Sequence, residues 1–216
     1  MFFFIPEADI IDTYFTPECK RALATAVVQA YRLVSSLDER ILYGPESQGI
    51  GGILRRAATA AFVKEVIKLR KLPFHEYVVH TGPYDSPHLL MMSDDQKVAF
   101  SINQVKDLGK FPRRANYRDE LITRNVRQPS MDLFGGDTAD VFPEGWTYVM
   151  LTHGYGSLSP RFVALGVPLP NKKWASPVRN ILSEASAEMM VPEETIEKTI
   201  KPALKKGLII ERGNEA

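Results

Sequence analysis

Hydrophobic runs typical of β-strands are concentrated in the middle of the chain. The most pronounced pair consists of Trp146–Thr152, which is rich in aromatic and β-branched residues, and the shorter apolar run Arg161–Leu165. Glycine, serine and proline residues separate the two runs, which is the composition of a turn. The pattern predicts a β-hairpin, and we interpret most other segments as strands that pair with this hairpin or helices that cover it.

Three further strands are predicted at residues 74–81, 88–92 and 97–101, where apolar residues again dominate. The polar stretch Ser93–Gln96 between the last two is predicted to be a hairpin turn. No segment long enough to form a helix separates these three runs, so we expect them to be antiparallel neighbours. Together with the central hairpin they predict an antiparallel sheet of about five strands.

Two segments before the strands have the 3.6-residue hydrophobic period of amphipathic helices. The first helix is predicted over residues 17–36, because Thr16 supplies a capping hydroxyl and Pro17 occupies the first helical position. The second helix is predicted over residues 53–71. The apolar residues at the N-terminus of the chain are interpreted as a buried edge strand.

A glycine-rich stretch, Gly44–Gly52, leads into the second predicted helix. The backbone N–H groups of such a loop can hold an anion where the helix begins. However, Ile53 and Leu54 stand where a phosphate-binding loop requires Lys followed by Ser or Thr. We therefore prefer to interpret this stretch as a flexible connection.

The character of the chain changes after residues 167–170, and residues 170–173 are interpreted as a connector. Helices are predicted at 178–189 and 192–206, followed by a strand that starts at Gly207, and this order resembles a helix-turn-helix with a wing. Acidic residues at the start of the second of these helices, and Pro202 within it, argue against a helix that reads DNA. A docking or dimerisation appendage is the alternative.

These elements predict an α+β fold. An antiparallel sheet of about five strands is covered by two N-terminal helices and followed by a small C-terminal helical, winged-helix-like appendage. We assign residues 1–170 to the main domain and residues 171–216 to the appendage. Units this small rarely fold alone, so the appendage is expected to pack on the main sheet or, as we prefer, on a second chain in a homodimer.

The composition limits the class of protein. Of the 216 residues, 44% are hydrophobic and 25% are charged, which is typical of a folded domain with a sizeable core. A formal net charge of +1 excludes a uniformly basic nucleic-acid binder but allows a basic face. The single cysteine, Cys19, is interpreted as structural, and its isolation favours a cytoplasmic location. No run approaches the ~20 apolar residues of a membrane span, so no membrane partner is expected.

Basic residues are concentrated in three segments, at 53–71, 106–127 and 161–179. If these segments converge, they form a surface suited to phosphate groups, and an aromatic ring beside them can stack on bases. The candidate nucleic-acid-binding residues are Arg55, Arg56, Lys64, Lys68, Arg113, Arg114, Arg118, Arg161, Lys172, Lys173 and Trp174. The alternative is that these charges solvate separate faces of the domain.

Catalytic motifs are weak in this sequence. Asp85, Asp95 and Lys97 follow the spacing of a metal-dependent nuclease, although both carboxylates fall in predicted turns rather than in strands. We predict no catalytic residue, no metal site and no cofactor. The favoured function is a cytoplasmic, non-enzymatic binding or regulatory protein with nucleic acid as its partner. Two alternatives stay open: a metal-dependent nuclease or related hydrolase, and a protein-interaction subunit of a larger complex.

Overall fold

A computed structural model describes residues 7–36, 50–81, 86–123, 125, 146–154 and 159–187 of the chain. The helices in these residues are α1 (Glu7–Tyr14), α2 (Pro17–Ser35), α3 (Ile50–Leu69) and α4 (Asn116–Thr123). The strands are β1 (Phe74–Thr81), β2 (Ser86–Ser93), β3 (Val98–Val105), β4 (Thr147–Gly154), β5 (Val163–Gly166), β6 (Pro168–Leu169), β7 (Lys173–Trp174) and β8 (Arg179–Asn180). Two 3-10 helices lie at Pro170–Lys172 and Leu182–Glu184.

The main sheet has six strands in the order β1-β2-β3-β4-β5-β8. The predicted α+β class, the antiparallel neighbours β1, β2 and β3, and the β4–β5 hairpin are confirmed. The expectation of an antiparallel sheet is wrong for one pair, since β3 and β4 run parallel from Val98 opposite Thr147 to Val105 opposite Gly154. The long connection between them contains α4 and returns the chain to the end where β3 began, which a parallel pair requires.

One face of the sheet, which we call the helical face, is covered by α1, α2 and α3. Its centre is a group of three rings, in which the centroid of Phe15 lies 5.3 Å from that of Phe74 and 5.5 Å from that of Phe100. The rings of Phe74 and Phe100 meet edge to face at 5.2 Å. Burial of each such side chain stabilises the fold by about 1.5–3 kcal/mol. Phe15 lies between α1 and α2, so this group ties the junction of the two helices to β1 and β3.

The opposite face, which we call the α4 face, is also buried. Leu121 and Ile122 of α4 pack against a row of sheet residues that includes Met92, Tyr148 and Met150. Side chains alternate between the two faces, because successive residues of a strand point in opposite directions. Burial on both sides explains why β4 reads as a nearly continuous apolar run rather than as an alternating one.

Thr16 caps α2 as the sequence predicts, since its hydroxyl oxygen accepts a hydrogen bond from the backbone N–H of Cys19 at 3.2 Å. Burial raises the pKa of the Cys19 thiol to about 12, which agrees with a structural cysteine. Helix α1 was not predicted. The interpretation of residues 50–52 as loop is wrong, because α3 begins at Ile50. The predicted N-terminal edge strand and residues 44–49 lie outside the described residues.

The helix predicted at 178–189 is wrong over its described residues, 178–187. Arg179–Asn180 forms strand β8 and pairs with β5, and only the short 3-10 helix Leu182–Glu184 follows it. Ile181 then enters the core with no exposed surface, and the backbone N–H of Ser186 bonds to the Thr25 hydroxyl of α2 at 2.8 Å. Burial and edge pairing outweigh local helical propensity at this point. Residues 188–216 lie outside the described part of the chain, so the appendage and the homodimer stay predictions.

A close approach at the end of β5 requires glycine. A Cβ atom at Gly166 would lie 2.7 Å from Cε3 of Trp174 and 2.8 Å from Cγ1 of Val178. This contact lets β6 and β7 fold back over the edge of the α4 face.

We expect Gly166→Ala to lower the free energy of unfolding by about 1–3 kcal/mol, because the added methyl overpacks against the Trp174 ring. Urea unfolding monitored by tryptophan fluorescence measures the loss. Gly52→Ala is the matched control, since the nearest atom to its Cβ is Oε1 of Gln104 at 3.9 Å. Equal effects of the two substitutions would contradict the importance of this contact.

Candidate functional site

A cleft of about 400 Å³ opens on the α4 face of the sheet. It lies between the segment that precedes α4, the helix itself, and the 3-10 turn Pro170–Lys172. Its lining consists of Phe111, Pro112, Arg113, Arg114, Ala115, Arg118, Asp119, Ile122, Thr123, Met150, Leu169, Pro170, Asn171 and Lys172. We call it the basic cleft, because four of the candidate residues predicted from the sequence come together in it.

Three of these four cations have no ion pair with another described residue: Arg113, Arg118 and Lys172. The fourth, Arg114, holds the only acid of the lining, since its Nε lies 2.9 Å from Oδ2 of Asp119. That pair is exposed and contributes little to stability. The cleft therefore has an excess of positive charge that no facing carboxylate in the described structure cancels.

The Arg118 guanidinium is fixed by contacts on the side that faces the protein. Its Nη1 donates to the Tyr117 hydroxyl at 2.6 Å and to Oδ1 of Asn103 at 3.4 Å, and its Nη2 donates to the backbone carbonyl of Arg113. Arg118 also lies 4.9 Å from the centroid of the Tyr117 ring. A guanidinium held in this way loses little conformational entropy when it binds an anion.

A buried polar row lies beneath Arg118. Asn103, only 4% exposed, donates from Nδ2 to Oγ of Ser101 at 2.6 Å, and that hydroxyl lies 2.5 Å from the Tyr148 hydroxyl. Burial raises the pKa of Tyr148 well above its usual value, so its hydroxyl stays protonated and able to donate. Because every member has a partner, the row holds Asn103, and through it Arg118, in place.

Phe111, which is not among the candidate residues predicted from the sequence, supplies an aromatic wall of the cleft. Its ring packs on Trp174 with centroids 4.4 Å apart, and the indole N–H of Trp174 donates to the carbonyl of Gly109 at 2.7 Å. Trp174, which we expected to stack on bases, thus lies behind the wall and supports Phe111. The position of Phe111, two residues before the Arg113–Arg114 pair, is the signal that could have found it.

The backbone of the cleft rim adopts a sparsely populated conformation. Asn171 and Lys172 have φ angles of 62° and 55°, in the left-handed region that asparagine tolerates but lysine rarely adopts. Such conformations persist where surrounding structure imposes them, and they concentrate at functional sites. Here the turn brings Lys172 to the rim of the cleft.

The other candidate residues lie away from the basic cleft. Arg55, Arg56, Lys64 and Lys68 belong to α3, which covers the helical face. Lys64 forms an ion pair with Glu76 at 2.9 Å. Lys173 and Arg161 are exposed, in β7 and just before β5 respectively. The basic segments therefore contribute to both faces of the sheet, and the basic cleft contains the part around residues 113–118 and 172.

The residues of the nuclease alternative occupy a turn. Asp95 accepts hydrogen bonds from the hydroxyls of Tyr14 and Ser93 and from the backbone N–H of Lys97, at 2.7–3.1 Å. These bonds lower the pKa of Asp95 despite its partial burial and hold the β2–β3 turn. Asp85 lies outside the described residues. Across the described ranges, no group of three or more His, Cys, Asp and Glu side chains is arranged to hold a metal ion.

A second polar group lies on the helical face, where β3 and β4 end. The Tyr31 hydroxyl is 2.9 Å from Nδ1 of His153 and also bonds to the carbonyl of Gly154. The guanidinium carbon of Arg55 lies 5.8 Å from the centroid of the Tyr31 ring. Arg55 and His153 are almost fully buried, which is unusual for such side chains.

No family model matches the chain, and neither the curated proteins nor the solved structures contain a protein that matches it. Among the helices that the structure describes, none is both long enough and apolar enough to cross a membrane.

Acid should destabilise the protein through His153. Burial lowers its pKa to about 4, and nearby Arg56 acts in the same direction. The unfolded chain binds a proton near pH 6.5, so the contribution of neutral His153 is complete above that pH and is lost as the pH falls towards 4. The loss is on the order of 3 kcal/mol.

Denaturant unfolding between pH 4 and 7.5 measures this dependence. We expect His153→Asn, which can still bond to Tyr31, to flatten the slope of stability between pH 4 and 6.5. His75→Asn is the control, because His75 is an exposed residue of β1. An unchanged slope in His153→Asn would show that another group controls the acid transition.

Proposed function

We propose that the protein binds single-stranded nucleic acid through the basic cleft. The main support for the proposal is that Arg113, Arg118 and Lys172 converge on one concave surface, which also has an aromatic wall. Arginine and lysine supply the phosphate contacts that dominate affinity for nucleic acid. An aromatic ring beside them offers a stacking surface that tolerates every base.

The size of the cleft favours a single strand over a duplex. Its volume of about 400 Å³ lies near the lower end of the range for small-ligand pockets, about 300–1,000 Å³. A nucleotide unit of an extended strand fits such a space, whereas a duplex is too wide to enter it. The flat ring of Phe111 and the fixed fork of Arg118 then contact a base and a phosphate group respectively.

Under this proposal, the basic cleft binds nucleic acid and does not cleave it. Among the described residues that line the cleft, the polar groups are cations, hydroxyls and amides, and the one carboxylate, Asp119, is engaged by Arg114. This set suits a non-enzymatic role. We also expect, from the sequence alone, a regulatory role and a cytoplasmic location.

A double substitution tests the cleft directly. We expect Arg113→Ala with Arg118→Ala to weaken binding of a short fluorescent single strand by at least tenfold at moderate salt. The slope of log affinity against log salt concentration should also fall by about 0.7 for each phosphate contact that is lost. Fluorescence anisotropy across a salt series, with DNA and RNA in single- and double-stranded forms, measures both quantities.

Lys64→Ala with Lys68→Ala is the matched control, because it removes the same charge from the helical face. Equal losses in the two double variants would indicate non-specific attraction and overturn the proposed cleft. The same oligonucleotides are incubated with Mg²⁺ and Mn²⁺ and resolved on gels. Cleavage by the wild-type protein would replace the proposal with the hydrolase alternative.

Lys172 gives a prediction in which stability and binding change in opposite directions. We expect Lys172→Gly to raise the free energy of unfolding by roughly 1 kcal/mol, because glycine adopts a φ of 55° without steric cost. It should also weaken nucleic-acid binding, since the charge at the rim is lost. Lys172→Ala removes the charge and keeps the strained backbone, so it should weaken binding without raising stability. A Lys172→Gly variant with undiminished affinity would exclude Lys172 from the interface.

A further inference from the structure

Arg55 buries a positive charge in the second turn of α3. Arg55 is only 7% exposed, and no described carboxylate lies within ion-pair distance of its guanidinium. The Nε of its guanidinium is buried and has no hydrogen-bond partner. Burying a charge without a counter-charge is strongly unfavourable, so this position calls for an anion.

Two further polar groups near Arg55 are also left without partners. The hydroxyl of Thr59, one helical turn after Arg55, and Nε2 of His153 are buried and make no hydrogen bond. Both residues have no exposed surface. Native proteins leave few buried polar groups unsatisfied, and those that remain commonly mark the place of a bound ion or water molecule.

Tyr31 links two of these residues, since it contacts both Arg55 and His153. Thr59 follows Arg55 by four residues and so lies on the same side of α3. The site lies where the parallel strands β3 and β4 end and α3 begins. The first N–H groups of a helix have no partner within it, and the helix dipole adds a partial positive charge there. Gly52, in the first turn of α3, lies close to Gln104 at the end of β3, so the start of the helix faces the same site.

We propose that a hydrogen phosphate ion binds between Arg55, Thr59 and His153 at the start of α3. The ion supplies a counter-charge that none of the described carboxylates gives Arg55. Its oxygens accept hydrogen bonds from Nε of Arg55 and from the Thr59 hydroxyl. This site is separate from the basic cleft, because α3 covers the helical face and the cleft opens on the α4 face.

The proton arrangement around Tyr31 selects phosphate over sulfate. The Tyr31 hydroxyl donates its one proton to the carbonyl of Gly154, so its oxygen accepts from Nδ1–H of His153. The Nε2 of the neutral imidazole is then left with a lone pair. Hydrogen phosphate can donate its P–OH proton to that nitrogen. Sulfate has no proton at neutral pH and would place an oxygen lone pair against it.

Thermal unfolding of the full chain tests the site at a fixed ionic strength maintained with sodium chloride. We expect Tm to rise progressively with phosphate between 1 and 50 mM, because a ligand that binds only the folded state stabilises it by mass action. An equal concentration of sulfate should give a clearly smaller rise. Equal effects of phosphate and sulfate would overturn the proposed selectivity.

Arg55→Met should lose the phosphate-dependent rise in Tm. Arg113→Ala with Arg118→Ala should retain it, which separates this site from the basic cleft and therefore from the proposed nucleic-acid binding. If the cleft variant loses the effect and Arg55→Met retains it, phosphate binds in the cleft and the proposal is wrong.

Gln104→Glu keeps the test decisive if Arg55→Met does not fold. This substitution places a tethered carboxylate at the end of β3, beside the start of α3. We expect it to raise Tm in the absence of phosphate and to abolish the response to added phosphate. In the wild-type protein, the NMR signal of the Arg55 Nε–H group should shift on titration with phosphate and not with chloride. A signal that does not move would overturn the proposal.

Discussion

The parallel pairing of β3 with β4 is the constraint on which the rest of the structure depends. It places the two strands at the centre of the sheet with eight residues in register, and both faces of the pair are covered. A parallel pair needs a connection that crosses from one end of the sheet to the other. In this chain that connection contains Phe111, Arg113, Arg118 and α4, so the crossover itself builds the wall of the basic cleft.

The same pairing also determines where polar side chains can enter the interior. Along β3, Ser101 and Asn103 point to the α4 face, whereas Gln104 points to the helical face and lies in register with His153 of β4. The first group forms the polar row beneath Arg118. The second group, Gln104 and His153, lies near the ends of the two strands, beside the start of α3. Alternation within two adjacent strands therefore separates two polar environments that lie only a few residues apart in sequence.

Two arginines show how differently the same side chain can be used. Arg118 is partly exposed, and donor contacts to Tyr117, Asn103 and a backbone carbonyl fix one side of its guanidinium. Arg55 is buried, and its Nε has no partner. The first arrangement orients a charge towards solvent at little cost in free energy, because both water and acceptor groups of the protein solvate it. The second leaves a charge in the interior that no carboxylate of the described residues balances.

Much of the local structure follows from residue order. The Thr16-Pro17 start of α2, the Ser93–Gln96 turn, the three-strand meander and the β4–β5 hairpin depend on caps, turn residues and hydrophobic period, which neighbouring residues decide. Composition likewise indicated a folded domain, the order of the predicted elements indicated its α+β class, and the basic residues fell in a few segments. These are properties that short-range physical chemistry controls, and they could be predicted before any contact between distant segments was known.

Other features arose only when distant segments packed together. The parallel orientation of β3 and β4, the extension of the sheet by Arg179–Asn180, and the division of the basic residues between two faces all depend on long-range pairing. Trp174 reads as an exposed stacking residue in sequence, but its position against Phe111 and Gly166 is decided by how β6 and β7 fold back. Arg55 is one of several basic residues in sequence, but burial makes it an interior charge that no described carboxylate pairs with. Local pattern cannot specify these outcomes, because each depends on which surfaces meet and which polar groups lose access to water.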